Sequence, residues 1–120
     1  MRNFRNLQVW KNGMDIAVDV YQFSFSLPDY EKFGIANQIR RSARSIPSNI
    51  AEGAAKSSQR DYKRFLEIAW GSANELETDL ILLQRIGLGE QEAINKILSN
   101  LELEQQKINV LIQKVKANPN

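Results

Sequence analysis

Two of the groups that most often carry protein chemistry are missing from this chain of 120 residues, which has no cysteine and no histidine. Without thiols there is no disulfide framework, no cysteine nucleophile and no zinc-thiolate site. Without imidazole the commonest general base and metal ligand is gone. Glu52 and Glu75 invite an acid/base or metal reading, but helical bundles that hold metals through carboxylates pair them with Glu-x-x-His, and no histidine is present. The residues therefore predict a non-enzyme without cofactor, metal site or catalytic residue. What remains is electrostatics. Lys56, Arg60, Lys63 and Arg64 fall close together in sequence, offset only by Asp61. Contacts to backbone phosphates need no more than Lys and Arg, so these four are the candidate nucleic-acid-binding residues; the alternative is a solvated helix end.

Such residues act only where a fold places them. With 42% hydrophobic and 25% charged residues, residues 1–120 fit a single domain that buries roughly two thirds of its unfolded surface. The longest apolar run is far too short for a membrane span, and the opening MRNFRNLQVW lacks the apolar core of a secretory signal, which predicts a soluble cytoplasmic protein with no membrane partner. Charge is segregated within the net +2: residues 40–64 hold seven Lys or Arg against two Asp or Glu, whereas residues 65–104 hold two against eight.

Punctuation at Ser26-Leu27-Pro28-Asp29, around Gly53 to Ser58, and at Gly87-Leu88-Gly89 divides the chain into four helical segments, about 6–25, 30–55, 58–86 and 90–117. Ser58 with Asp61 is a capping-box pattern, and Gly87 suits a left-handed helix terminator. Each segment has a seam of alternating three-and-four spacing. The seams are Leu7, Trp10, Met14, Ala17, Tyr21; Ala36, Ile39, Ala43, Ile46, Ile50, Gly53; Tyr62, Leu66, Ala69, Ala73, Leu76, Leu80, Leu83; and Ile94, Leu98, Leu101, Gln105, Ile108, Ile112, Val115. They predict an all-α, antiparallel up-down-up-down four-helix bundle without strands. Small residues, among them Ala43, Gly53 and Ala69, let the second and third helices approach closely. Pro47, lacking an amide hydrogen, predicts a bend in the second helix.

The first helix carries a second apolar stripe, Val9, Ile16, Val20 and Phe23, opposite its seam, and the fourth echoes it with Leu103 and Val110. These six, with Trp70, are the candidate oligomer interface, because large apolar patches seldom stay exposed on monomers. The alternative is that a tilted first helix buries both stripes within one subunit; Trp70 is either an aromatic anchor at a subunit interface or packs on the flank of a neighbouring helix. Antiparallel register sets Arg40 at the level of Asn74 and Glu75, and Arg44 at that of Glu67 and Trp70, for interhelical ion pairs. Asn49 and Ser72, at the seam edges, suit an interhelical hydrogen-bond set that fixes register. Gln105 is either another such device or tolerated near solvent.

Several stretches resemble a bacterial family, the small four-helix-bundle, ribosomal-protein-like proteins encoded in intervening sequences of 23S ribosomal RNA genes. They are Leu7-Gln8-Val9-Trp10-Lys11, Gln38-Ile39-Arg40-Arg41-Ser42-Ala43, Ser45-Ile46-Pro47-Ser48-Asn49-Ile50-Ala51-Glu52-Gly53, Phe65-Leu66-Glu67-Ile68-Ala69, Gly71-Ser72 and Glu75-Leu76-Glu77. The polar and small members Asn49, Glu52, Gly53, Ser72 and Glu75 are then structural motif residues. The resemblance implies a homopentamer of antiparallel bundles. It also implies kinship with the accessory protein of diversity-generating retroelements, which binds nucleic acid and a reverse transcriptase. The expected partners are thus further copies of the chain, RNA or single-stranded nucleic acid, and a partner protein.

Overall fold

The fold was described from a computed structural model, over residues 2–31 and 34–118. Four helices make it: α1 (Gln8–Ser24), α2 (Ile35–Ala54), α3 (Gln59–Ile86) and α4 (Gln91–Ala117), with 3-10 turns at Phe4–Asn6 and Asp29–Glu31 and no strand among the described residues. Local chemistry sets the ends of α3. The Ser58 hydroxyl accepts from the Asp61 amide at 3.1 Å, satisfying one of the free donors of the first turn. Gly87 closes the helix at φ 71°, a conformation that penalises any residue with a Cβ. α2 begins at Ile35 rather than near residue 30, because the chain first makes the turn at Asp29–Glu31. It then continues as one helix through Pro47, whose missing amide leaves the Ala43 carbonyl without its usual partner.

Each helix packs on two others: α1 on α2 and α4, and α3 on α2 and α4. Contacts rise along one helix as they fall along the next. Gln38 and Ser42 reach Glu75 whereas Ser45 reaches Ser72, and Gln84 reaches Asn95 whereas Gln105 reaches Asn74 and Glu77. Ile39, Ile46, Ile50, Leu66, Leu76, Leu80, Leu83, Ile94, Leu101 and Ile108 fill the centre, fully buried. α2 and α3 approach closely at Gly53, where a Cβ would lie 2.8 Å from the Phe65 Cβ. The bundle is a rod of 47 × 21 × 20 Å.

The stripe expected to face a neighbouring subunit faces this subunit's own core. Val9, Ile16, Val20 and Phe23 are at most 5% exposed, whereas Met14 and Val18 are 40% and 50% exposed. Gly13 explains the reversal. It occupies the inner stripe between Val9 and Ile16, and its missing side chain leaves room for the carboxyl of Glu104, which a Gly13 Cβ would meet at 3.1 Å. An inner face with a glycine in it reads as the weaker of two apolar stripes. The seam of α4 turns for the same reason, passing through Ile97 and Glu104 rather than Leu98 and Gln105. Gln105 instead sits on the flank and donates to Asn74 and Glu77, each at 3.0 Å.

Arg40 and Arg44 also depart from expectation. Both turn toward α1: Arg40 Nε donates to Ser24 Oγ at 2.8 Å and Arg44 to the Tyr21 hydroxyl at 2.8 Å. They share a face of α2 with Ala36, Pro47 and Ala51, whereas the face toward α3 carries Gln38, Ser42, Ser45 and Asn49.

Candidate nucleic-acid interface

Where α2 ends, its last carbonyls carry the negative pole of the helix. Arg2, from the segment before α1, caps them: one guanidinium nitrogen donates to the carbonyl of Lys56 at 2.7 Å and to that of Ala54 at 3.4 Å, and the other contacts Gln59 Oε1. The guanidinium lies 4.0 Å above the Tyr62 ring. Burial pushes the Tyr62 phenol above its ordinary range, with Arg2 acting in the opposite direction, so the ring remains neutral beneath the cation. Across the junction, Lys56 Nζ and the Arg64 guanidinium approach Phe65 at 5.0 and 4.6 Å. An aromatic face attracts a cation while leaving its outward donors free.

Two of the four expected basic residues, Lys56 and Arg64, therefore converge on one aromatic ring. Arg60 lies on the exposed surface of the first turns of α3, and Lys63 is half-buried there. The end of α4 joins them, because Gln59 Nε2 donates to the Asn118 carbonyl at 3.2 Å, bringing along exposed Lys114 and Lys116. Arg2, Lys56, Arg60, Lys63, Arg64, Lys114 and Lys116 thus gather at one end, where Glu52 and Asp61 are the nearby carboxylates. A cavity of about 580 Å³ opens among Arg2, Ala55, Lys56 and Ser57. The arrangement can hold anions through point charges and guanidinium forks. Sequence reading missed Arg2, which lies outside every helix, and the only available signal was its charge near the start of the chain.

The motif residues divide. Asn49 Nδ2 donates to the Ser45 carbonyl at 2.8 Å and to Ser45 Oγ at 2.9 Å, and Ser45 Oγ meets Ser72 Oγ at 2.8 Å. Glu75 accepts from Ser42 at 2.9 Å and from Gln38. Ser72 and Glu75 therefore tie α2 to α3, whereas Asn49, expected in the interhelical set, bonds only within α2 to Ser45, and Glu52 points into solvent and takes no part. Asp79, one turn beyond Glu75, keeps Oδ2 buried without a partner; burial, and then the charge of Glu75, raise its carboxyl above the usual range. Among the described residues, no group of three or more Asp or Glu is placed to hold a metal ion, and no helix is long and apolar enough to cross a membrane.

Trp70, Leu103 and Val110 are 40%, 53% and 54% exposed. On the opposite side, α1 and α2 leave an open apolar groove of about 480 Å³ lined by Trp10, Met14, Val18, Tyr21, Pro47 and Ala51, with Arg44 and Ser48 at its polar edge.

A family model described as 23S rRNA-intervening sequence protein matches residues 5–110. Among solved structures, the chain is similar to a protein with unknown function from the S23 ribosomal protein family of Bacteroides thetaiotaomicron. The two are 29% identical with a TM-score of 0.78, over 87% of this chain and 97% of that one. No curated protein matches.

Proposed function

The chain belongs to the 23S rRNA-intervening sequence protein family, and on that basis we propose that it is a non-enzymatic, oligomeric bundle that binds RNA or other nucleic acid through its basic end. The observation that carries this reading is the convergence of seven cations from the N-terminal segment, the α2–α3 junction and the end of α4, several of them held by aromatic rings or helix ends. A strand laid across such an end exchanges its condensed counterions for Lys and Arg, a sequence-independent driving force. The bundle is read as antiparallel and up-down-up-down, supported by contacts that rise along one helix as they fall along its neighbour.

Self-association is part of the proposal, with a revised surface. The apolar groove of α1 and α2 lies on the side of the rod opposite the exposed Trp70, Leu103 and Val110 of α3 and α4. Two different surfaces on opposite sides suit head-to-tail contacts, which close into a ring when the rotation permits. Five subunits is the count that the family resemblance implies. In a cyclic ring every rod points the same way along the axis, so the basic ends add on one face.

Fluorescence anisotropy with labelled single-stranded RNA, measured across a salt series, tests the nucleic-acid reading. Affinity should fall steeply with salt. Replacing Lys56, Arg60, Lys63 and Arg64 together with Gln should weaken binding to unrelated sequences and make the salt slope shallower, by up to about three units for four lost phosphate contacts at roughly 0.7 each. An unchanged slope removes this end as the interface. The apolar groove favours a second reading, a scaffold for a partner protein. It prevails if neither structured RNA nor single-stranded DNA binds at low ionic strength.

A further inference from the structure

Beside the Ser45–Ser72 contact, the groove between α2 and α3 widens into a cavity of about 420 Å³, lined by Arg41, Arg44, Ser48, Asn49, Ser72 and Glu75 among others. Its donors and acceptors do not balance. The Asn49 amide donates to Ser45 Oγ at 2.9 Å, and that oxygen shares a single proton with Ser72 Oγ across 2.8 Å. Two hydroxyl protons are present in a pair that uses one, so the second must find its acceptor elsewhere. Ser48 brings another hydroxyl at the surface, and Arg41 an exposed guanidinium that makes no hydrogen bond among the described residues. Arg44 gives one nitrogen to the Tyr21 hydroxyl at 2.8 Å and retains the rest of its fork.

The single carboxylate of the wall is partly consumed. Glu75 Oε1 already accepts from Ser42 at 2.9 Å and from Gln38, and two guanidinium charges outweigh its one negative charge. Surplus donors and net positive charge call for a ligand made of acceptors, and a tetrahedral oxyanion can meet a guanidinium fork and hydroxyls together. We infer that this cavity binds a phosphate group, from a free phosphomonoester or from a phosphodiester backbone. Ser48 and Arg41 stand six and thirteen residues before Ala54, the last residue of α2, about 9 and 20 Å at 1.5 Å per helical residue. The site is thus separate from the basic end and does not rest on the function proposed for it.

Titration calorimetry of the full chain with inorganic phosphate at constant ionic strength, against chloride, tests the inference. Saturable binding is expected. Arg41→Gln with Ser48→Ala should weaken it about tenfold, the scale of one or two charge-assisted hydrogen bonds, while the fourfold Gln variant at the basic end should leave it within about twofold. Both substituted side chains are exposed, and circular dichroism checks that the variant is folded. A decauridylate without terminal phosphates distinguishes the sources: competition with inorganic phosphate identifies phosphodiesters as ligands, and its absence identifies the monoester. Failure to saturate, or unchanged affinity in the Arg41→Gln, Ser48→Ala variant, overturns the inference. RNA binding that survives this variant but fails in the basic-end variant would exclude the phosphodiester as this site's ligand while leaving the proposed function intact.

Discussion

Both carboxyl oxygens of Glu104 are buried without a hydrogen-bond partner, in the space that Gly13 leaves between α1, α2 and α4. Ionising such a group means removing a charge from water without compensation, so burial pushes its carboxyl up to about 8, with Lys107 acting in the opposite direction. In the unfolded chain the same group titrates near its ordinary 4.5. Between these values the folded protein holds a proton that the unfolded chain has released, so stability is greatest at low pH and declines as pH rises. For this group the slope is at most about 1.4 kcal/mol per pH unit, and it levels off above about pH 8. Urea unfolding from pH 5 to 9 should show the decline. In Glu104→Leu it should be absent, with the variant more stable than the parent at pH 8 and the difference shrinking toward pH 4.5. A pH dependence that is the same in the parent and in Glu104→Leu would mean that Glu104 ionises in place.

At the scale of the helices, two glycines make opposite tests. A Cβ on Gly53 would sit 2.8 Å from the Cβ of Phe65 and 3.3 Å from the carbonyl of Tyr62, whereas one on Gly71 meets nothing within 4 Å. Gly53→Ala should destabilise by about 1–3 kcal/mol through forced separation of α2 and α3. Gly71→Ala should stabilise by about 0.5–1 kcal/mol through helix propensity alone. Denaturant midpoints decide both signs. The Gly53 contact was legible in the sequence because a small residue on an apolar seam has one common use. The ends of α3 were legible for a similar reason: the Ser58 cap and the Gly87 stop depend only on their own few residues. The inner face of α1 was not, because it is decided by Gly13 against Glu104, a fit between residues distant in sequence that no periodicity contains. Arg40 and Arg44 were misread because a seam gives the level of a residue along the bundle, while the rotation of α2 between α1 and α3 decides which neighbour that residue meets. Lys56 and Arg64 were legible as a basic pair from proximity alone; the Phe65 ring beneath them was not.

The whole molecule is a rod of 47 × 21 × 20 Å with cations gathered at one end and Asp29, Glu31, Glu90 and Glu92 near the other. Rods of this polarity repel when like ends meet side by side, so an assembly that places basic ends together needs an apolar contact strong enough to oppose them. Exposed Met14 and Val18 on α1, with half-buried Trp10 and Tyr21, are the apolar residues of the groove placed to supply it. Burial contributes about 25 cal/mol per Å², from which the entropy of association subtracts a large part. Met14→Glu with Val18→Lys places charges in that groove without touching the core, and should give a folded, smaller species by light scattering coupled to size-exclusion. Ile16→Glu is the contrasting test. Its side chain is 2% exposed, so the charge would enter the core and the chain should unfold rather than dissociate. High salt should strengthen the parent assembly by screening the basic ends, whereas nucleic-acid binding should weaken over the same range. A parent chain that is monomeric at micromolar concentration in both low and high salt would overturn the ring, and with it the summed field of its basic ends.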